Sequence, residues 1–415
     1  MNKRRTKPNW FAIILLSLIV LGASYTTRYI VPTIPQVGVA SPTPTISPDT
    51  LIADAESLFQ QGKLIPAIDM YKQAIASRPS DPATHIKLAQ TLVFAGKYKE
   101  AQTAAEDALL LNPTNSMAFA VRAWALSFQG EYLQAESDIK RALELDPNNA
   151  LAHAYYVEIL VDSFYNGTGG FDGVERAIEI SRVAQALAPN TLETHRARGI
   201  ILEATGNYED AIAEYEAAIA INPNIADLHL SLGVNYRILQ VYDKAEASFT
   251  RAIALNPEDP TPHLLLSRTY ATIGEFGKAL QYAETAVGIN PADTNLRGNL
   301  GVMYYRNAFW TESAQELSYV VTGGLSEDGY EMQVINLVPN SPRIAEYYFT
   351  YGLALSRLNR CGDALQIAQL IISRIPDDEI SVGNANAIIE RCQQNLQATQ
   401  QPPLSTGTPV STPTP

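Results

Sequence analysis

Prolines recur through this chain on a fixed ladder. Pro79, Pro113, Pro147, Pro189, Pro223, Pro257, Pro291 and Pro376 are separated by 34, 34, 42, 34, 34, 34 and 85 residues. Five equal intervals are beyond chance. The exceptions equal one period plus 8 and two periods plus 17. Such a period marks a chain of like supersecondary units. One unit cannot bury its apolar face alone, so neighbours must stack into a continuous core.

Each proline ends the same local pattern. Gly96, Gly130, Gly206 and Gly274 stand where a first helix should stop, because glycine adopts the left-handed conformation easily. Tyr98, Tyr132, Tyr208 and Phe276 follow two residues later and should fill the corner of a helical hairpin. Asn-Pro or Asp-Pro then stops the second helix, since the residue before proline avoids helical geometry. Asn149, Asp259 and Asp293 are placed to start the next one.

The stretch 226–259 resembles the tetratricopeptide consensus at Leu232, Gly233, Tyr236, Tyr242, Ala245, Phe249, Ala252 and Pro257. The stretch 192–225 does so at Gly199, Gly206, Tyr208, Ala211, Tyr215, Ala218 and Pro223, and the resemblance covers about 80% of the chain. It implies an all-α, right-handed α-solenoid of nine helical hairpins with a concave face. The motifs fall at 48–81, 82–115, 116–149, 150–191, 192–225, 226–259, 260–293, 294–327 and 345–378. Small residues at the eighth, twentieth and twenty-seventh positions let the paired helices approach closely. The fourth motif carries an insertion near 162–173 around Tyr165-Asn-Gly-Thr-Gly-Gly-Phe171; no strand precedes it and no Lys-Ser/Thr follows, so it reads as a loop and not a phosphate cradle. A second insertion at 326–344 contains Met332–Val338, an extended strand or small hairpin. Asp378–Leu396 should form a closing helix over the last open face.

The repeat body is expected at 49–398, between a Pro/Thr/Ser linker at 31–48 and a Pro/Thr tail at 399–415. Residues 1–30 hold a basic flank and an apolar run. Asn9–Thr27 supplies 19 uncharged residues, close to the roughly 20 that cross a bilayer, with Tyr25 and Tyr29 suited to an interface. A single-pass anchor with an extracytoplasmic body is the favoured reading; a cleaved signal peptide and a secreted body is the other.

The formal net charge is −13, and the basic residues Lys3, Arg4, Arg5, Lys7 and Arg28 all precede the first acid, Asp49. The body is therefore more acidic still, which argues against general nucleic-acid binding. All five histidines, His85, His153, His195, His229 and His263, are the fourth residue of a motif, where the consensus packs a large ring between hairpins. They recur once per period, not at a metal-ligand spacing. No Ser-His-Asp set, HExxH or paired-carboxylate motif stands out, so no catalytic residue, metal or cofactor is expected.

Two cysteines, Cys361 at the corner of the ninth motif and Cys392 near the end of the closing helix, fall at one end of the stack. A disulfide between them is the expected reading for an exported body, with two reduced thiols or a reactive pair as alternatives.

The resemblance places partner binding on the concave face, at positions two, five, nine, twelve and thirteen of each first helix. Early motifs put Ile86, Gln90, Phe94, Trp124, Phe128 and Glu158 there; later ones put Arg237, Arg268, Tyr305, Arg306, Phe349 and Arg357. The arginines suit a partner's carboxylates, against the plainer reading of solvated groups paired with local acids. The lysine–asparagine clamp of chaperone-binding relatives is absent. The expected function is a membrane-tethered or exported scaffold that binds a protein segment. An accessory subunit of a cell-envelope or carbohydrate-modifying enzyme, or a structural spacer in an envelope assembly, is the alternative.

Overall fold

The computed structural model describes residues 9–26, 28 and 46–400. The basic flank at 1–8, most of the linker and the tail from 401 lie outside the described residues. The chain divides into two units, 1–47 and 48–415.

In the first unit, Trp10–Tyr25 is a helix of 16 residues, begun by Asn9, whose side chain accepts from the Ala12 amide. It is apolar on every side. Gly22, Ser24 and Thr26 are weak helix formers, and this α-helix has three residues fewer than the 19-residue uncharged run. At 1.5 Å per residue it measures about 24 Å, less than the roughly 30 Å hydrocarbon core. Among the described residues no helix is long and apolar enough to cross a membrane.

The second unit is an α-solenoid. Hairpin one pairs Pro48–Gln60 with Leu64–Ser77, two pairs Pro82–Phe94 with Tyr98–Leu111, and three pairs Ser116–Ser127 with Tyr132–Leu145. Four pairs Ala150–Tyr165 with Gly173–Leu187, five Leu192–Ala204 with Tyr208–Ile221, and six Ala226–Ile238 with Tyr242–Leu255. Seven pairs Thr261–Thr272 with Phe276–Ile289, eight Thr294–Arg306 with Trp310–Thr322, and nine Pro342–Arg357 with Cys361–Arg374. The closing helix, Glu379–Gln400, packs on both helices of hairpin nine and buries Ala385, Ile388 and Cys392. In the second insertion Gly324–Leu325 pairs antiparallel with Glu331–Met332. Beyond Met332 the chain leaves the ladder; the Ile335 amide bonds the Val320 carbonyl, and Leu337 is buried.

The local chemistry of each hairpin follows the pattern. Asn149 accepts from the Ala152 amide at 3.0 Å and Asp293 from the Asn295 amide at 2.8 Å, each starting a first helix. At the hairpin corner Gly96, Gly130, Gly206 and Gly274 hold φ between 72° and 84°. Hairpins six, eight and nine keep the same left-handed corner without glycine, at Gln240 (φ 61°), Ala308 (φ 64°) and Asn359 (φ 59°). Left-handed geometry costs an alanine about 1–2 kcal/mol, only part of which glycine's greater unfolded-state entropy offsets. Ala308→Gly should therefore raise the thermal midpoint, by a stabilisation of about 0.5–1 kcal/mol, measured by calorimetry of the body 48–398.

Close helix approach depends on the eighth position. A Cβ on Gly233 would lie 2.6 Å from the Phe249 ring, and one on Gly199 2.7 Å from the Tyr215 ring. Three of the histidines tie their first helix to the turn before it. The Nε2 atoms of His153 and His229 are each 2.9 Å from the carbonyl of the proline six residues earlier, and that of His85 is 3.4 Å from Pro79. In hairpin eight Arg297 takes the same place, and its Nε donates to the Pro291 carbonyl at 2.7 Å.

One contact runs across the stack rather than along it. The corner of hairpin one meets the turn between hairpins five and six: Asn224 Nδ2 donates to the Gln60 carbonyl at 2.6 Å. Even a Cβ on Gly62 would fall 2.7 Å from the Asn224 carbonyl oxygen and 3.0 Å from Leu255. The first six hairpins thus curl into a turn whose ends touch.

Candidate functional site

The concave face of that turn is filled by its own side chains. Trp124, from hairpin three, is 1% exposed. It stacks on Tyr155 at 4.3 Å between ring centroids and meets Phe94 edge-on at 5.1 Å. Its indole N–H donates to Glu158 at 2.8 Å. The other oxygen of Glu158 pairs with Arg196 Nε at 3.0 Å, and Arg196 reaches on to Asp227 at 2.6 Å. The Arg196 guanidinium also lies over the Trp124 and Phe94 rings. Gln90 donates to the Tyr155 hydroxyl, and Phe128 stacks on Tyr98. The open aromatic groove expected from Gln90, Phe94, Trp124 and Phe128 is therefore corrected at Trp124, which has no face left for a partner. Two clefts remain open beside it: one of about 920 Å³ between the first helices of hairpins one and two, lined by Phe59, Ile86, Gln90 and Phe94 with Glu193 beyond, and one of about 700 Å³ bordered by Phe94, Phe128, Arg196 and Asp227.

This interior holds more acid than base. Burial pushes the Glu158 carboxyl up to about 7 and that of Asp162 up to about 6, and Asp227 adds to both shifts. The pull of one guanidinium is shared among them. Arg196 itself stays charged: burial opposes its charge, but Asp227 and Glu158 outweigh it. The native state binds the Glu158 proton more tightly than the unfolded chain does. Its contribution to stability is thus fully present below the ordinary value of 4.5 and is lost as pH rises through about 7. The thermal midpoint of the body should fall between pH 5 and pH 7.5, and Glu158→Gln should flatten that slope; a slope unchanged by the substitution would exclude Glu158 as its source.

The C-terminal half is arranged differently. Arg237 from hairpin six and Arg268 from hairpin seven are only partly exposed, and the Nε of each is buried without a hydrogen-bond partner. Among the described residues no carboxylate is paired with either, whereas the buried Arg196 and Arg297 each hold two. Burial, then the nearby charge of Arg343, holds both guanidinium groups below their ordinary value. Arg343, at the start of hairpin nine, is tied to Glu346 at 2.6 Å. Arg306 is half-exposed and 3.8 Å from Glu346. Arg357 and Tyr305 turn instead to Trp310; the guanidinium lies 5.2 Å from the indole centroid and the phenol ring 4.9 Å. The structure thus draws Arg237 and Arg268 together, adds Arg343, and places Arg357 elsewhere.

Tetratricopeptide repeat models match residues 58–125, 118–149 and 239–294, and a TPR repeat model matches 199–238. The chain is a tetratricopeptide repeat protein. Among solved structures, this tetratricopeptide array is similar to PilW, a type IV pilus biogenesis factor, at 20% identity over 49% of this chain and 91% of that one (TM-score 0.43). It is also similar to a tetratricopeptide repeat protein from Parabacteroides merdae, at 16% identity over 62% of this chain and 98% of that one (TM-score 0.41). A third is Pseudomonas aeruginosa pilF, at 19% identity over 49% of this chain and 90% of that one (TM-score 0.40). No curated protein matches the chain.

The tetratricopeptide register explains which residues the sequence pointed to and which it missed. Arg237 and Arg268 sit at concave positions twelve and nine of their motifs, so register alone finds them. Arg196 sits at concave position five, but its neighbours across the turn cannot be read from the pattern. Arg343 precedes the ninth motif, inside the insertion, where no register applies. Cys361 and Cys392 are joined as a disulfide with their Cα atoms 5.4 Å apart, pinning the closing helix of the tetratricopeptide array to the corner of hairpin nine.

Proposed function

We propose that this chain is a non-catalytic scaffold that holds a protein segment on the concave face of hairpins six to nine. The observation that carries this reading is the contrast between two kinds of buried arginine. Arg196 and Arg297 are each neutralised by two carboxylates of the chain itself, while among the described residues Arg237 and Arg268 have none. A partly buried guanidinium without a counter-charge is costly to the free protein, and an anionic partner is what would offset it. Three histidines are held at prolyl carbonyls and His195 at Glu214, which supports a structural role for them over a catalytic one. The short apolar N-terminal helix and the disulfide support a body that is exported, with residues 1–30 as its export signal, cleaved or kept as a membrane tether.

The test is site-specific photo-cross-linking in cells. A photoreactive residue at Tyr305 or Phe349, on the concave side, should give discrete protein adducts. The same residue at Leu133, 80% exposed on the second helix of hairpin three, should give none. Equal labelling at both places, or none at either, would exclude the concave face as the working surface. N-terminal sequencing of the exported body decides whether residues 1–30 remain.

A further inference from the structure

The partner's chemistry follows from what the concave face lacks. Arg237 and Arg268 come from adjacent hairpins, and Arg343 approaches from the start of hairpin nine. The charges are mutually felt: that of Arg343 acts on both guanidinium groups, and that of Arg237 on Arg268. Every other charged group tied to this cluster is already engaged. Glu346 is shared by Arg343 and Arg306, and the Tyr347 hydroxyl, which donates to the Asn295 carbonyl at 3.2 Å, also accepts from Arg268 as a neutral partner that supplies no counter-charge. Among the described residues the Nε–H of Arg237 and that of Arg268 have no hydrogen-bond partner, and both side chains remain partly exposed. A guanidinium presents its donors as a planar fork that matches a carboxylate, so the missing acceptors are anionic oxygens. The flanks of the same face carry Leu230, Leu264 and Phe349, partly buried, which suit apolar side chains and not a bare ion.

We propose that Arg237, Arg268 and Arg343 form an anion-binding site for an acidic peptide segment that brings two carboxylates to them. First helices of adjacent hairpins lie about 8–10 Å apart, a span of about three residues in a polyproline II segment, which returns to the same face every third residue. The segment should therefore carry Asp or Glu at positions three apart, with apolar residues between. This inference rests on the concave-face reading above and adds the chemistry of what is bound there.

The probe is a fluorescent twelve-residue peptide with two aspartates three apart on an alanine–leucine background, against its twin with both aspartates changed to asparagine. Binding to the full chain is read by anisotropy. The aspartate peptide should bind at least tenfold more tightly than the asparagine one. That preference should vanish in Arg237→Gln and Arg268→Gln and persist in Arg357→Gln. Because an unpaired, partly buried charge is removed, the two glutamine variants should keep or raise the thermal midpoint. That readout separates lost binding from lost folding, and Arg268→Lys should retain part of the preference. Equal binding of the two peptides, or a preference untouched by both glutamine variants, overturns the site while leaving the concave scaffold standing. No binding of either peptide also overturns it, and the cross-linking at Tyr305 and Phe349 then shows whether the wider reading falls too. Greater thermal stabilisation by inorganic phosphate than by the aspartate peptide would point to a tetrahedral oxyanion and overturn the choice of carboxylate.

Discussion

Arg196→Leu should destabilise the body by about 3–5 kcal/mol at pH 7.5, measured by urea unfolding followed by circular dichroism. Breaking a buried ion pair by removing one partner leaves the other charge uncompensated, and losses of this size follow. Arg196 is 6% exposed and joins four hairpins through Glu158, Asp227 and the rings of Trp124 and Phe94. With it gone, Glu158 keeps only the Trp124 N–H and is driven further towards its protonated form. The loss should therefore shrink at pH 5, where a neutral Glu158 needs no counter-charge. Adding Glu158→Leu should recover much of the stability, because an apolar pair of similar size is often no worse than the ion pair it replaces. A loss below about 1 kcal/mol in the single variant would mean that Arg196 is merely tolerated.

Reduction of the Cys361–Cys392 bond is the second large effect. The bond closes a loop over a separation of 31 residues, and in the chain-entropy treatment such a loop contributes about 3–4 kcal/mol. Its effect should be local. The closing helix packs chiefly on hairpin nine, so in reductant, or in Cys392→Ala, hydrogen exchange should quicken across Glu379–Gln400 and hairpin nine while hairpins two to five keep their protection. Uniform loss of protection along the array would contradict that assignment.

The stacking of hairpins was legible in the sequence because it is local. A 34-residue period needs only helix stops at proline, a left-handed corner and small residues at fixed offsets, and each of these acts within one repeat. The histidines were legible for the same reason, and Arg297 shows that their place asks for a donor towards the preceding prolyl carbonyl more than for an imidazole. What stayed hidden is long-range. The acid-rich interior around Arg196 gathers residues from five hairpins, and their convergence depends on how tightly the stack curls, which small shape differences at every interface decide together. Trp124 read as a groove residue because its position in the motif is concave; the curl is what buries it. The arginines of the C-terminal half were marked by register, but their want of carboxylates was visible only once every nearby acid had been placed.

The touch between Gly62 and Asn224 has a thermodynamic consequence. A linear array has nearest-neighbour couplings only, and its end units fray independently of units far along the chain. Joining unit one to unit six adds a coupling that skips four, so loss of the first hairpin also exposes the sixth. The first six hairpins then behave as one cooperative block that melts together, while hairpins seven to nine keep the graded, segment-by-segment behaviour of an open array. A rigid N-terminal block carrying a more compliant C-terminal arm would suit the proposed hold on a protein segment, since the arm could adjust to it.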